Sequence, residues 1–191
     1  MLNIIIFGAP GAGKGTQSKL IAEKYGLFHI STGTILREEI EKGTELGQIA
    51  NQYITKGHFA PDDVVIKLLE DILNENPDEK GYLLDGFPRN LNQASLLDEM
   101  LKERNTSIAA LINLAVDEEK LIKRLLKRGD YEGRADDNLE VVKLRLEIYK
   151  EKTEPLKEYY KKRGKLFNIN GNGDVEGVFE SILQTLDHVS F

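Results

Sequence analysis

Gly8-Ala9-Pro10-Gly11-Ala12-Gly13-Lys14-Gly15-Thr16 follows directly on the apolar run Leu2-Asn3-Ile4-Ile5-Ile6-Phe7. A β-branched apolar run reads as a buried strand, and glycines at its end mark the turn that leaves it. Gly8 and Gly13 bracket four residues ahead of Lys14, which is the order strand, phosphate-binding loop, helix start. Glycines let backbone N–H groups curl around an anion without Cβ clashes. The helix that opens near Lys14, with Leu20, Ile21 and Tyr25 on its apolar face, turns its positive end toward the same anion.

Beyond the loop, 191 residues suggest one domain, long enough to bury a sizeable core. The chain has no cysteine, which excludes disulfides, thiolate zinc sites and cysteine nucleophiles together. Its N-terminal apolar run is too short, and lacks the basic start, for a signal peptide. No apolar stretch approaches the roughly 20 residues that span a bilayer. A cytoplasmic protein with no membrane partner is expected. A net charge of −6 gives no support to nucleic-acid binding.

Short apolar runs alternating with helical stretches predict an α/β fold with a mainly parallel sheet. The strand candidates are Leu2–Phe7, Leu27–Ile30, Gly81–Asp85, Ile108–Val116 and Lys165–Ile169. Val64, Val65, Leu68, Leu69, Ile72 and Leu73 form one helical face that closes before Pro77, and Leu121, Leu125 and Leu126 form a shorter one. Two segments do not read as plain crossovers. Residues 31–60 hold two short helical patterns interrupted by Gly43 and Gly57, an insertion of the kind that builds binding subdomains. Gly129-Asp130-Tyr131-Glu132-Gly133-Arg134 reads as a compact polar loop.

Tyr82-Leu83-Leu84-Asp85 is an apolar strand ending in a carboxylate, and beside the first strand it would bring Asp85 to the metal region, reaching the ion through water. The residues after it, Gly86-Phe87-Pro88-Arg89 with Gln93 beyond, offer a guanidinium fork for a phosphate and an amide able to pair with a purine edge. Arg124 and Arg128 lie four apart on one helix and share a face. Asp137 with Glu140 reads as an N-cap and its capping partner for the helix carrying Arg145, an alternative to a lid or metal-network role, and Asp136 is the better candidate for contacting arginines. His29, His58 and His188 show no ligand spacing, and their side chains read as structural or surface groups.

Four blocks, Gly8–Thr16, Ser31-Thr32-Gly33 with Arg37, Asp85–Arg89 with Gln93, and Arg134-Ala135-Asp136-Asp137 with Arg145, give the chain its family likeness. It resembles the nucleoside monophosphate kinases, and within them the adenylate kinases of the short-lid type. The resemblance implies a three-layer P-loop fold with a five-stranded parallel sheet flanked by helices. It implies a core of 1–30, 61–128 and 138–191, an AMP-binding insertion at 31–60 and a short lid at 129–137. It further implies that Gly11, Ala12, Gly13, Lys14, Gly15 and Thr16 hold the ATP phosphates, with Arg124, Arg128 and Gly173 covering ATP. Thr32, Arg37, the backbone of His58, Phe59 and Ala60, the turn Gly86-Phe87-Pro88-Arg89 and Gln93 would hold AMP. Lys14, Arg89, Arg128, Arg134 and Arg145 would carry catalysis, with Arg134 and Arg145 clamping the transferring group.

The cofactor implied is Mg²⁺ brought with ATP, and no zinc, since the short lid lacks the insert that sometimes carries it. The partners implied are ATP, AMP and ADP, and a monomer is expected because no apolar stripe is exposed. One position departs from the common P-loop pattern and two depart from the family's. Gly15 stands where most P-loop proteins place a hydroxyl that ligates Mg²⁺ directly, with Thr16 one place later; Thr34 replaces an Asp; and Phe59 is bulkier than usual. The alternatives are a UMP or CMP kinase of the same fold, where Ala usually replaces Thr32, and a P-loop binding module with a single nucleotide site. The chemistry expected is in-line phosphoryl transfer by positioning and charge, without a general base, because a phosphate monoester with a second pKa of about 6 is already largely dianionic at pH 7.

Overall fold

Every side chain of β1 (Asn3–Phe7) is buried, as a run with apolar neighbours on both faces requires. The computed structural model describes residues 1–189; the last two positions of the expected core segment 138–191 lie outside the described residues. In it β1 is the middle strand of a five-stranded parallel sheet of order β2-β3-β1-β4-β5, with β2 at Phe28–Ser31, β3 at Tyr82–Asp85, β4 at Ile108–Ala115 and β5 at Leu166–Asn170. Each strand falls within one residue of its expected ends. Ile5 and Phe7 enter one apolar layer while Ile4 and Ile6 enter the other, the two-sided burial that helices on both faces provide.

The order of the strands places the crevice. From β1 the chain crosses through α1 (Lys14–Tyr25) to β2, returns to β3 beside β1, and later adds β4 and β5 on the opposite side. Connections leaving in opposite directions open a gap at the carboxyl ends of the strands. Ile6 pairs with Asp85 and Phe7 with Asn113, so the β3 carboxylate stands level with the end of β1.

Between β2 and β3 lies the insertion. Its helices α2 (Thr32–Lys42) and α3 (Glu45–Ile54) form a tight hairpin. Gly43 ends α2 in the left-handed region and Thr44 caps α3, accepting from the Gly47 N–H at 3.0 Å. A Cβ on Gly47 would lie 2.0 Å from the Glu39 carbonyl oxygen, so a glycine is what lets the two helices meet. The long apolar face becomes α4 (Asp62–Glu75), which buries Val65, Leu69 and Leu73 and stops before Pro77. The next crossover helix is α5 (Leu91–Glu103).

Two expectations need correcting. Gly129–Glu132 is not loop: α6 runs from Glu118 to Glu132 and ends at Gly133, whose φ of 62° supplies the left-handed cap. Gly129 is a close-packing point within that helix, since a Cβ there would meet the Asp137 carbonyl at 3.1 Å. Nor does Asp137 cap the following helix. A 3₁₀ turn occupies Ala135–Asp137, and α7 (Leu139–Ile148) takes Asn138 as its cap, whose side chain accepts from Val141 N–H at 3.0 Å. After α7 come a π-helical turn at Tyr149–Thr153, then α8 (Leu156–Lys161), β5 and α9 (Val175–Leu186). Gln17 ties α1 to α9 by donating to the Val175 carbonyl at 2.9 Å.

Candidate active site

The loop after β1 folds as the glycine spacing requires. Gly13 precedes α1 with φ 93°, a conformation that a side chain disfavours, and a Cβ on Gly8 would meet the Leu114 carbonyl at 2.9 Å. The first turn of α1 holds no acidic residue, which leaves its N–H groups and positive end for an anion. Lys14 donates to the carbonyls of Gly8 at 2.8 Å and Ala9 at 3.1 Å. Burial lowers its pKa to about 8; Asp85 opposes that shift, and the charges of Arg89, Arg145 and Arg128 add to it.

A second candidate anion corner stands at the start of α2. A Cβ on Gly33 would lie 3.5 Å from one Arg37 terminal nitrogen and 3.6 Å from one of Arg89, so both forks converge on that helix N-terminus. Arg89 is held from several sides. Its Nε donates to the Gly86 carbonyl at 2.7 Å, its guanidinium lies 4.8 Å above the Phe59 ring, and its own carbonyl accepts from Thr153 Oγ1 at 2.8 Å. Burial, then the Arg145 charge, lowers its pKa to about 10, still far above neutrality. Burial also lowers Arg37. Thr32 is buried and donates to the Gly86 carbonyl at 3.0 Å.

Arg145 adds its charge to both Lys14 and Arg89. Its Nη1 donates to Asp137 Oδ1 at 2.7 Å and to the Asp136 carbonyl at 3.2 Å, and it pairs with the Asp136 carboxylate at 2.8 Å. Asp137 is the hub: its side chain is fully buried and takes a two-point fork from Arg128 at 2.6 and 2.8 Å. Asp136 contacts Arg145, so the carboxylate contacts expected of it are shared with, and exceeded by, those of Asp137. Burial would raise the Asp137 pKa, but the Arg128 hydrogen bond and charge, with Arg145 and Arg134, hold it below 3.8. Those Asp137 contacts likewise outweigh burial at Arg128, whose pKa is raised.

Replacing Asp137 with Asn is therefore expected to cost about 3 kcal/mol of unfolding free energy at neutral pH, read by denaturant titration. Its pKa is depressed on folding, so this stabilisation is present above 3.8 and lost as pH falls through the folded value below it. The gap between parent and variant should close in acid.

These parts meet in one open cleft at the carboxyl ends of the strands. Lys14, Arg37, Arg89, Arg145, Thr32 and Gln93 all line it, as do His58, Phe59 and Ala60.

The adenylate kinase family model matches residues 6–165. Curated relatives named adenylate kinase include one from Azobacteroides pseudotrichonymphae, 56% identical with 99% of each chain covered. Another, from Bacteroides fragilis, is 54% identical over 98% of this chain and 99% of its own, and one from Archaeoglobus fulgidus is 44% identical over 98% and 99%. The chain belongs to the adenylate kinase family.

Within this adenylate kinase fold the remaining expected residues are placed differently. Arg124 donates to the Gly171 carbonyl at 3.3 Å, two residues before Gly173, which gathers those positions at the end of β5. Arg128 is turned to Asp137, and Arg134 is held by Glu132 at 2.5 Å; neither lines the cleft, although both add charge to it. Thr16 is exposed. Gln93 has both ends of its amide engaged, with Arg89 N–H donating to Oε1 at 2.7 Å and Nε2 donating to Asp62 at 2.7 Å.

The structure also brings in residues that sequence reasoning missed. Tyr149 and Thr153 line the cleft from the π-helical turn, a feature frequent at functional sites that no local pattern announces. Thr34, the departure from Asp, shares a hydrogen bond with Ser31 at 3.0 Å and accepts from Arg37 at 3.5 Å.

Among the described residues no group of three or more His, Cys, Asp or Glu is placed to hold a metal. A single buried carboxylate suits a Mg²⁺ that keeps its waters and is held mainly by nucleotide phosphates. Asp85 has that character: it is 8% exposed, and a Cβ on Gly15 would lie 3.7 Å from its Oδ2.

Proposed function

We propose that the chain transfers the terminal phosphoryl group of ATP to AMP, reversibly, giving two ADP. The observation that carries this reading is the pair of facing anion corners, each a helix N-terminus with fixed cations. Lys14 stands at the α1 start, Arg37 and Arg89 stand at the α2 start, and Arg145 lies in the same cleft.

The loop Gly11–Thr16 and Lys14 hold the donor's phosphates, and Arg124, Arg128 and Gly173 cover the rest of ATP. Arg37 and Arg89 grip the acceptor's phosphate. Thr32, Gly86, Gln93 and the backbone of His58, Phe59 and Ala60 surround its base. Asp85 would hold Mg²⁺ through water, and that ion, when bound with ATP, offsets phosphate charge.

Bringing two polyanions within reaction distance costs Coulomb energy, which the cleft's guanidinium groups offset. Arg134 and Arg145 act between the nucleotides, where charge spreads in the transition state. The acceptor is already a dianion, so no side chain has to remove a proton. Water competes as acceptor, and in this reading the insertion 31–60 and the lid 129–137 close before transfer. Arg128 and Arg134, outside the cleft lining, would travel inward with the lid.

The same reading makes the protein a cytoplasmic monomer with no zinc and no nucleic-acid or membrane partner. Among the described residues no helix is long and apolar enough to cross a membrane. Among the described residues the exposed large apolar side chains beyond Met1, Tyr53, Leu91, Tyr131, Leu139 and Val175, come from different helices.

The test is calorimetric titration with a dinucleotide of two adenosines joined by five phosphates. One-to-one binding that excludes both ATP and AMP is expected, and binding that leaves AMP free to bind would overturn the reading. A comparison of AMP, CMP and UMP as acceptors is expected to favour AMP strongly.

A further inference from the structure

The cleft-lining amide of Gln93 is held by two partners of opposite character. Arg89 N–H can only donate, and it reaches Oε1 at 2.7 Å. The Asp62 carboxylate can only accept while ionised, and it takes Nε2–H at 2.7 Å. Burial tends to raise the Asp62 pKa, but hydrogen bonds from Asn92, Asn90 and Gln93 outweigh it and keep the group ionised. Asn90 donates to both Asp62 oxygens at 2.9 and 3.2 Å, and Asn92 donates to one at 3.1 Å. Asn90 also caps α5, accepting from Gln93 N–H at 2.9 Å, so the backbone of Gln93 is fixed by the same cluster. Asp62 opens α4 and lies outside the cleft lining, directly behind the amide.

A carboxamide turned end for end keeps its shape but exchanges its donor and acceptor. At Gln93 that exchange would set the NH₂ against Arg89 N–H and the carbonyl against a carboxylate, two repulsive contacts in a buried setting. The flip is forbidden, and the amide keeps one orientation. One lone pair on Oε1 and one N–H on Nε2 remain uncommitted.

We infer that Asp62 is a specificity-determining positioning residue: by fixing the orientation of the Gln93 amide, it makes the acceptor site select a 6-aminopurine over a 6-oxopurine. This rests on the reading of Gln93 as part of the acceptor-base site. A 6-aminopurine offers an N–H donor at N6 beside an acceptor at N1, the complement of the oriented amide. A 6-oxopurine offers the reverse, an acceptor at O6 beside an N1–H donor, and meets like against like. Sites that leave buried polar groups unpaired reject the wrong ligand far more strongly than sites that discriminate by shape.

The experiment compares kcat/KM for AMP and for inosine monophosphate in the parent, Asp62→Asn, Gln93→Ala and the double variant. Asparagine has nearly the shape of aspartate but can face either end of the amide, so a turned amide is opposed by the Arg89 N–H alone. The ratio of AMP to inosine monophosphate is expected to fall roughly tenfold or more in Asp62→Asn, through the acceptor's KM, with the KM for ATP unmoved. Adding Asp62→Asn to Gln93→Ala is expected to lower the ratio no further. A merely structural Asp62 would weaken both acceptors and ATP together.

If Gln93→Ala collapses the ratio and Asp62→Asn leaves it within about twofold, the lock is wrong and the base site stands. If Gln93→Ala itself leaves the ratio unchanged, the base-site reading fails and takes the lock with it. Asp62→Ser, whose hydroxyl also donates or accepts, provides the same readout should the asparagine variant not fold.

Discussion

Lys14→Met is expected to slow phosphoryl transfer roughly 10³-fold while leaving the chain folded and about as stable as its parent. The two halves of that expectation share one cause. A lysine ammonium fixed inside a loop of N–H groups is worth most where charge develops on a transferring group in a water-poor site. The same enclosure makes the charge costly in the free protein, where burial and the charges of Arg89, Arg145 and Arg128 pull its pKa to about 8. Methionine removes the two bonds to the carbonyls of Gly8 and Ala9 but also removes that cost, and its flexible thioether fills a similar volume.

A second consequence is a pH dependence with a definite sign. In the free protein Lys14 loses its proton as pH rises through about 8, so kcat/KM for ATP should fall above that value with the slope of a single proton. Bound phosphates favour the charged form, so the fall in kcat at saturating nucleotide should come at higher pH. A profile of kcat/KM flat to about pH 10, or a methionine variant that keeps its rate, would remove Lys14 from the site.

How much of this could be read before folding depended on whether a residue's role is local. The strands were legible because Ile4, Ile5 and Ile6, or Leu83 and Leu84, are apolar whatever surrounds them. The phosphate loop was legible because glycine and lysine spacing is a statement about backbone geometry.

Roles set by distant partners were not legible. Asp137 and Asn138 are both sound helix caps in sequence, and what separates them is that Arg128 and Arg145 reach the first and leave the second to cap α7. Gly129 looked like a break because nothing local reveals that Asp137 packs against its α-carbon. The bulk of Phe59 had no reading until the Arg89 guanidinium was found above its ring. The Gln93 amide could be proposed as a base reader from its chemistry and the family resemblance, but not which way round it sits, since one of its two partners, Asp62, comes from another helix.

Arg89→Ala is the other large effect, an expected loss of roughly 10³-fold in kcat/KM for AMP with the KM for ATP moved by less than about threefold. Arg89 and Arg37 converge over Gly33, two cations with no carboxylate among the described residues bonded to the Arg89 fork, a placement that repels in the free protein and is relieved when a dianion arrives. Interaction that appears only with bound phosphate contributes to binding and turnover rather than to folding. Loss of the Phe59 stack and of the Nε bond to Gly86 is offset by removal of a half-buried, repelled charge, so unfolding free energy should change by no more than about 1 kcal/mol. Arg89→Lys should recover little of the loss, because the site uses one guanidinium nitrogen to anchor on Gly86 and another to reach over Gly33, and an ammonium cannot do both. Full recovery by lysine would mean that Arg89 acts as a bare point charge, and an equal loss toward ATP would place it at the donor's phosphates instead of the acceptor's.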